Sequence, residues 1–136
     1  MIAIFLSMQS KRVDVIAFLD ELKCILESDN FNIDTDLTLI RKKKSDAEEF
    51  STPFTLVDLE YSAEDVADRL RELDVAEYSE TKFDKDDVNP PLLFVFGKYI
   101  NNKLVYIKLK IKGDQKRYVL CVSFHYARDA MSFPYA

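Results

Sequence analysis

Glycine and proline are scarce in this 136-residue chain, at 2 and 4 residues, which excludes collagen-like and low-complexity architectures. Cysteine is equally sparse. Cys24 and Cys121 stand far apart inside apolar patterns, so they form no CxxC pair, no zinc spacing and no disulfide framework. They read as small buried or half-buried residues of a reducing compartment. No apolar run is long enough to cross a membrane. The opening stretch from Met1 to Met8 is mostly apolar but short, and Lys11 and Arg12 follow it rather than precede it, so no signal peptide is expected. These absences point to a cytoplasmic protein with no membrane partner. Histidine occurs once, as His125.

What is present suffices for one core. At 48% hydrophobic residues the chain has ample apolar surface to offset chain entropy, so it is not a disordered segment. A chain of this length buries about two-thirds of its surface. A single domain over residues 1–136 is expected, with residues 1–10 as a flexible N-terminal extension. The formal net charge of −5 argues at first sight against a nucleic-acid partner, but it conceals a partition. Residues 91–136 carry eight basic and two acidic groups, whereas residues 1–90 carry eleven basic and twenty-two acidic groups. Such asymmetry points to a localised site for an anionic ligand.

Val15, Phe18, Leu19, Leu22, Ile25 and Leu26 repeat at helical spacing and predict one amphipathic helix. Leu37 to Lys43 leans towards strand, and Pro53 opens a short turn or helix over Phe54 to Leu59. Ser62 and Asp65 form a capping-box pattern ahead of a second helix, Ala63 to Leu73. The last third changes period. Leu93 to Ile100, Leu104 to Ile111 and Tyr118 to His125 predict three antiparallel strands. Asn101-Asn102 suits a type I′ hairpin between the first two, and the four residues Gly113 to Lys116 join the second and third. The class is α+β, a two-layer fold with a C-terminal three-strand meander packed on N-terminal helices.

Register converts this reading into chemistry. The two-residue turn sets Gly97 opposite Tyr106, Phe96 opposite Ile107 and Phe94 opposite Leu109. The four-residue loop sets Leu120, Val122 and Phe124 on the helix-packed face, with Cys121, Ser123 and His125 on the other. Ser123 then faces Tyr106, and His125 is its diagonal neighbour. That outer face gathers Tyr106, Lys108, Lys110 and the only histidine. Gly97 leaves a shallow space beside the tyrosine ring. The patch suits phosphate binding and proton transfer, although alternating lysines also mark an ordinary solvated sheet face. Lys98 falls on the core-side parity and reads as a snorkelling structural residue. The run Lys42-Lys43-Lys44 reads as a solvated turn.

The stretch LVYIKLKI followed by VLCVSFH, Leu104 to His125, resembles the C-terminal strands of MqsR-type toxins, ribosome-independent mRNA interferases of type II toxin–antitoxin modules. Further similarity lies in Thr55-Leu56-Val57-Asp58-Leu59, in Leu73 to Tyr78, in Phe96-Gly97-Lys98 and in the ending Phe133-Pro134-Tyr135. The resemblance covers roughly residues 55–136. It implies a RelE-like fold and metal-independent, cofactor-free cleavage of single-stranded mRNA by attack of a ribose 2′-hydroxyl on the adjacent phosphate. It also implies a cognate antitoxin protein as partner. By position, the family's tyrosine matches Tyr106, and the basic residue after the V-S-F stretch matches His125. Ser79 stands where the family has a lysine, with Lys82 close by, and no glutamine stands near Gly97. The resulting candidate set is catalytic His125, Tyr106 and Lys108, with Lys110, Arg128, Lys82, Gly97 and Ser123 contacting RNA. Histidine suits general acid or base work, lysine or Arg128 suits charge developing on phosphorane oxygens, and tyrosine suits a leaving oxygen or an unstacked base. The missing lysine and glutamine, with the acidic N-terminal half, support the competing expectation of a catalytically inactive RelE-like interaction domain.

Overall fold

A computed structural model describes residues 7–41 and 48–136. The triple-lysine run therefore lies outside the described residues. The elements are β1 (Ser7–Met8), α1 (Arg12–Leu26), α2 (Ile33–Asp36), β2 (Leu37–Leu39), α3 (Thr52–Leu59), α4 (Ala63–Arg71), β3 (Tyr78–Phe83), β4 (Leu92–Ile100), β5 (Lys103–Lys112) and β6 (Tyr118–Tyr126). Six strands form one sheet in the order β1-β3-β4-β5-β6-β2. The class is α+β, and the sheet is mixed rather than wholly antiparallel, because β2 pairs in parallel with β6.

Helices α1 and α4 form where the apolar spacing predicted them, whereas the short α2 was not foreseen. Val15, Leu19, Leu22 and Leu26 of α1 are buried, one face of the helix. The Ser62–Asp65 capping box is made in both directions at α4, whose Val66, Ala67 and Leu70 are buried. Arg71 Nε donates to the Leu26 carbonyl at 3.0 Å and ties α4 to the end of α1. These faces meet Phe96, Val105, Ile107, Leu109, Val119, Cys121 and Phe124 of the sheet in a single core. Full burial of each large aliphatic side chain contributes about 1.5–3 kcal/mol.

The β4–β5 hairpin follows the expected register, with Gly97 opposite Tyr106, Phe96 opposite Ile107 and Phe94 opposite Leu109. Both turn asparagines take positive φ, 52° at Asn101 and 66° at Asn102, as a type I′ turn requires. The next pairing differs. The loop spans five residues, so Lys112 pairs with Tyr118, and a bulge then inserts Val122 between Cys121 and Ser123. Cys121 and Val119 consequently occupy the core face, Leu120 and Val122 leave it, and His125 lies directly opposite Tyr106. A one-residue change in loop length flips every side chain, and the bulge flips the last four back.

β3 went unread in the sequence because its core-side positions are Tyr78 and Thr81, not an apolar alternation. Of the expected N-terminal extension, residues 1–6 lie outside the described residues. The remainder is docked: Ser7 and Met8 pair with Lys82 and Thr81, and Ser10 bonds Tyr78 Oη and Thr81 Oγ1.

Candidate functional site

The face of the sheet turned away from the helices carries Glu80 and Lys82 from β3, Tyr106 and Lys108 from β5, and Ser123 and His125 from β6. A cleft of about 500 Å³ opens over these six side chains. Residues 127–132 of the C-terminal segment, Arg128 and Asp129 among them, build its opposite wall. Tyr106, Lys108, Ser123, His125, Lys82 and Arg128 of the expected set therefore share one cavity.

Two bulges shape it. The Val122 bulge places Ser123 and His125 on the cleft face, and a second irregularity at Ser79 turns Glu80 towards the cleft while Tyr78 stays in the core. The end of β6 is fixed from the side, beyond the reach of the three-residue β2. The Phe124 amide donates to Thr52 Oγ1 at 3.1 Å, and the Tyr126 amide donates to Thr55 Oγ1 at 3.0 Å. Helix α3 thus satisfies edge amides that would otherwise be unpaired.

The imidazole of His125 stacks on the Tyr106 ring, with centroids 5.1 Å apart and planes 14° from parallel. His125 Nδ1 lies 2.9 Å from the Tyr126 carbonyl oxygen. A carbonyl only accepts, so Nδ1 carries a hydrogen and Nε2 is the basic nitrogen of the neutral ring. The Tyr106 hydroxyl is pushed up to about 12 by burial and, secondarily, by the negative charge of Glu80. It therefore acts as a neutral hydrogen-bonding group at any ordinary pH. Glu80 itself accepts a hydrogen bond from the Ser7 hydroxyl and lies 4.0 Å from Lys82 Nζ. Sequence reasoning missed Glu80 because it missed its strand.

Two expected contacts are relocated. Lys110 is 1% exposed, and its ammonium is held by Asp84 Oδ2 at 2.7 Å and by the carbonyls of Pro90 and Asp87 at 2.8 and 3.0 Å. Its three donors are occupied away from the cleft, so it is a structural residue. Gly97 is buried and offers no ligand space. A Cβ built there would meet Phe133 Cζ at 2.8 Å and Met131 Sδ at 2.9 Å, because the C-terminal segment fills the hollow.

The basic C-terminal third is also spent largely on pairing within the chain. Lys98 meets Glu77 and Glu72, Lys103 meets Asp58, Lys110 and Lys112 meet Asp84 and Asp87, Lys116 meets Asp36, and Arg117 meets Glu21. Six of the eight cations after residue 90 thus face carboxylates from before it. The acidic half is the electrostatic complement of the basic sheet. In the cleft, Lys82, Lys108 and Arg128 stand against Glu80 and Asp129.

Among the described residues, no group of three or more His, Cys, Asp or Glu side chains is placed to hold a metal ion, and no helix is long and apolar enough to cross a membrane. No family model, curated protein or solved structure matches the chain.

Proposed function

We propose that this protein is a RelE-like, MqsR-type toxin, a cytoplasmic endoribonuclease that cleaves single-stranded mRNA without metal and is neutralised by an antitoxin protein. The observation that carries this reading is the stacked Tyr106–His125 pair beside Lys108 in one cleft. The chemistry is transfer of the ribose 2′-hydroxyl onto the adjacent phosphate. The O2′–P bond forms, the P–O5′ bond breaks, and a 2′,3′-cyclic phosphate and a 5′-hydroxyl remain. The 2′-hydroxyl proton passes by way of His125 Nε2 to the departing O5′, the Lys108 ammonium offsets charge on the phosphoryl oxygens, and the protonated Tyr106 donates a hydrogen bond to an oxygen or stacks on a base.

Purified protein, incubated with single-stranded mRNA in chelator, is expected to yield 2′,3′-cyclic phosphate ends. His125→Ala is expected to lower the rate by about 10²–10⁴-fold, the usual contribution of a positioned acid or base. A folded His125→Ala protein with undiminished activity overturns the assignment. A second reading, a non-catalytic interaction domain, draws support from Ser79, which lines the cleft where the family has lysine, and from the carboxylate of Glu80 beside it. Growth of cells on induced expression separates the two: the nuclease arrests growth unless its antitoxin is co-expressed, and the interaction domain does not.

A further inference from the structure

The main cleft does not end at Lys108. A second cavity of about 210 Å³ adjoins it, and Lys82 and Lys108 line both. Leu93 of β4 and the bulged Val122 of β6 give the second cavity an apolar floor, and Lys85 adds a cation at its rim beside Asp84 and Asp86. The rim is held in place by Lys110. Its buried ammonium bonds the Asp84 carboxylate and two carbonyls of the segment 84–91, while the Asp84 amide donates to the Pro91 carbonyl at 2.7 Å. Asp84 is thereby engaged with Lys110.

We propose that this second cavity is a subsite for the nucleotide adjoining the scissile step, so that the groove binds an oligonucleotide and not an isolated dinucleotide. The inference rests on the reading of the main cleft as an RNA site. The linking phosphate passes between Lys82 and Lys108, the next ribose and base lie on Leu93 and Val122, and the following phosphate meets Lys85. Cations that track a backbone beside an apolar surface for bases are how sequence-tolerant single-strand sites are built. Lys110 is a positioning residue: it presents the rim and touches no ligand.

The test is fluorescence-anisotropy binding of 2′-O-methyl oligoadenylates of two and of five nucleotides, which lack the attacking hydroxyl and stay intact. Wild type is expected to bind the longer probe about tenfold more tightly and with a steeper salt dependence, by about 0.7 in logarithmic slope for each added phosphate contact. Lys85→Ala is expected to lower affinity for the longer probe about threefold and to leave the shorter probe within about twofold, since it removes one phosphate contact. Val122→Asp, which puts a carboxylate on the cavity floor, is expected to erase the length preference. Equal wild-type affinity for both probes overturns the subsite and spares the main cleft. A length preference that survives both variants overturns its placement. Wild type binding neither probe overturns the subsite and the RNA reading together.

Discussion

Gly97 lies directly beneath Phe133: a Cβ at position 97 would approach the ring to 2.8 Å. This contact, with the neighbouring Met131, seats the C-terminal segment on the sheet and so builds one wall of the cleft. Tyr135 fastens the end of that segment by stacking on Tyr78 at 5.7 Å and donating to the Ser10 carbonyl at 2.6 Å. Gly97→Ala is therefore expected to displace residues 131–133 and to cost about 1–3 kcal/mol, the usual penalty of overpacking. Urea unfolding measures the cost, and faster amide exchange confined to the C-terminal segment identifies its origin. An unchanged midpoint and exchange pattern would show that the segment is not seated by this contact.

Tyr106 stays protonated because burial and the Glu80 charge hold its hydroxyl near 12. A raised acid pKa keeps the neutral form throughout the range below it, so no limb of a pH–rate profile between pH 5 and 10 belongs to this residue. Tyr106→Phe keeps the ring stacked on His125 and removes only the hydroxyl. Its profile should match the wild-type shape at a lower rate, by about tenfold for one lost hydrogen bond of about 1.4 kcal/mol. A limb that vanished in this variant would make Tyr106 a titrating catalyst.

Lys110 and Asp84 form a buried ion pair, and removal of one partner leaves the other charged and uncompensated. Lys110→Met is expected to destabilise the protein by about 3–5 kcal/mol at neutral pH. In the wild type, Asp87 is held at about 2, chiefly by its hydrogen bond from Lys112. Burial pushes the Asp84 carboxyl up, but the bond from Lys110 and the amides of Asp86 and Asp87 outweigh it, and its net position is low. Depressed carboxyls contribute stability that is complete above their unfolded value near 4 and lost as pH falls towards their folded values. Thermal unfolding of the wild type should therefore be flat from pH 7 to about 5 and decline between about 4 and 2.

The two thiols are expected to react very differently. Cys24 is exposed on α1, whereas Cys121 is fully buried and its thiol is pushed up to about 12, chiefly by that burial. Thiolate is the reactive form. A disulfide reagent at pH 8 should titrate one thiol in the native protein and two in denaturant.

Thr55→Val tests the support of β6. The substitution keeps the side-chain shape and leaves the buried Tyr126 amide without its acceptor, at an expected cost of about 1–3 kcal/mol. Because Tyr126 follows His125 and its carbonyl fixes the imidazole, the cleavage rate should fall more than the loss of folded protein explains.

Much of the framework was legible because it depends on local pattern. The 3.6-residue repeat of α1, the Ser62–Asp65 box and the Asn101–Asn102 turn each act over a few residues, so their spacing carries the information. The β4–β5 register follows from the turn alone. The β5–β6 register did not, since Arg117 joined the loop and Val122 bulged. His125 and Ser123 nevertheless reached the expected face, because the longer loop and the bulge cancel over the last four residues of the strand. Lys110 misled for a related reason. Its parity is that of Lys108, but the segment 84–91 folds over that end of the sheet and supplies its acceptors, a long-range contact that alternation does not encode.

By itself, then, the chain's sequence determined α1, α4, the first hairpin and the gathering of Tyr106, Lys108 and His125 on one sheet face, since periodicity and turn chemistry are short-range. Only the tertiary structure decided which cations meet which carboxylates and where the cleft has walls. Ion pairing joins carboxylates before residue 90 to cations after it, and the wall is a chain terminus laid across a glycine. Both depend on which distant residues meet, and that is set by packing of the whole core.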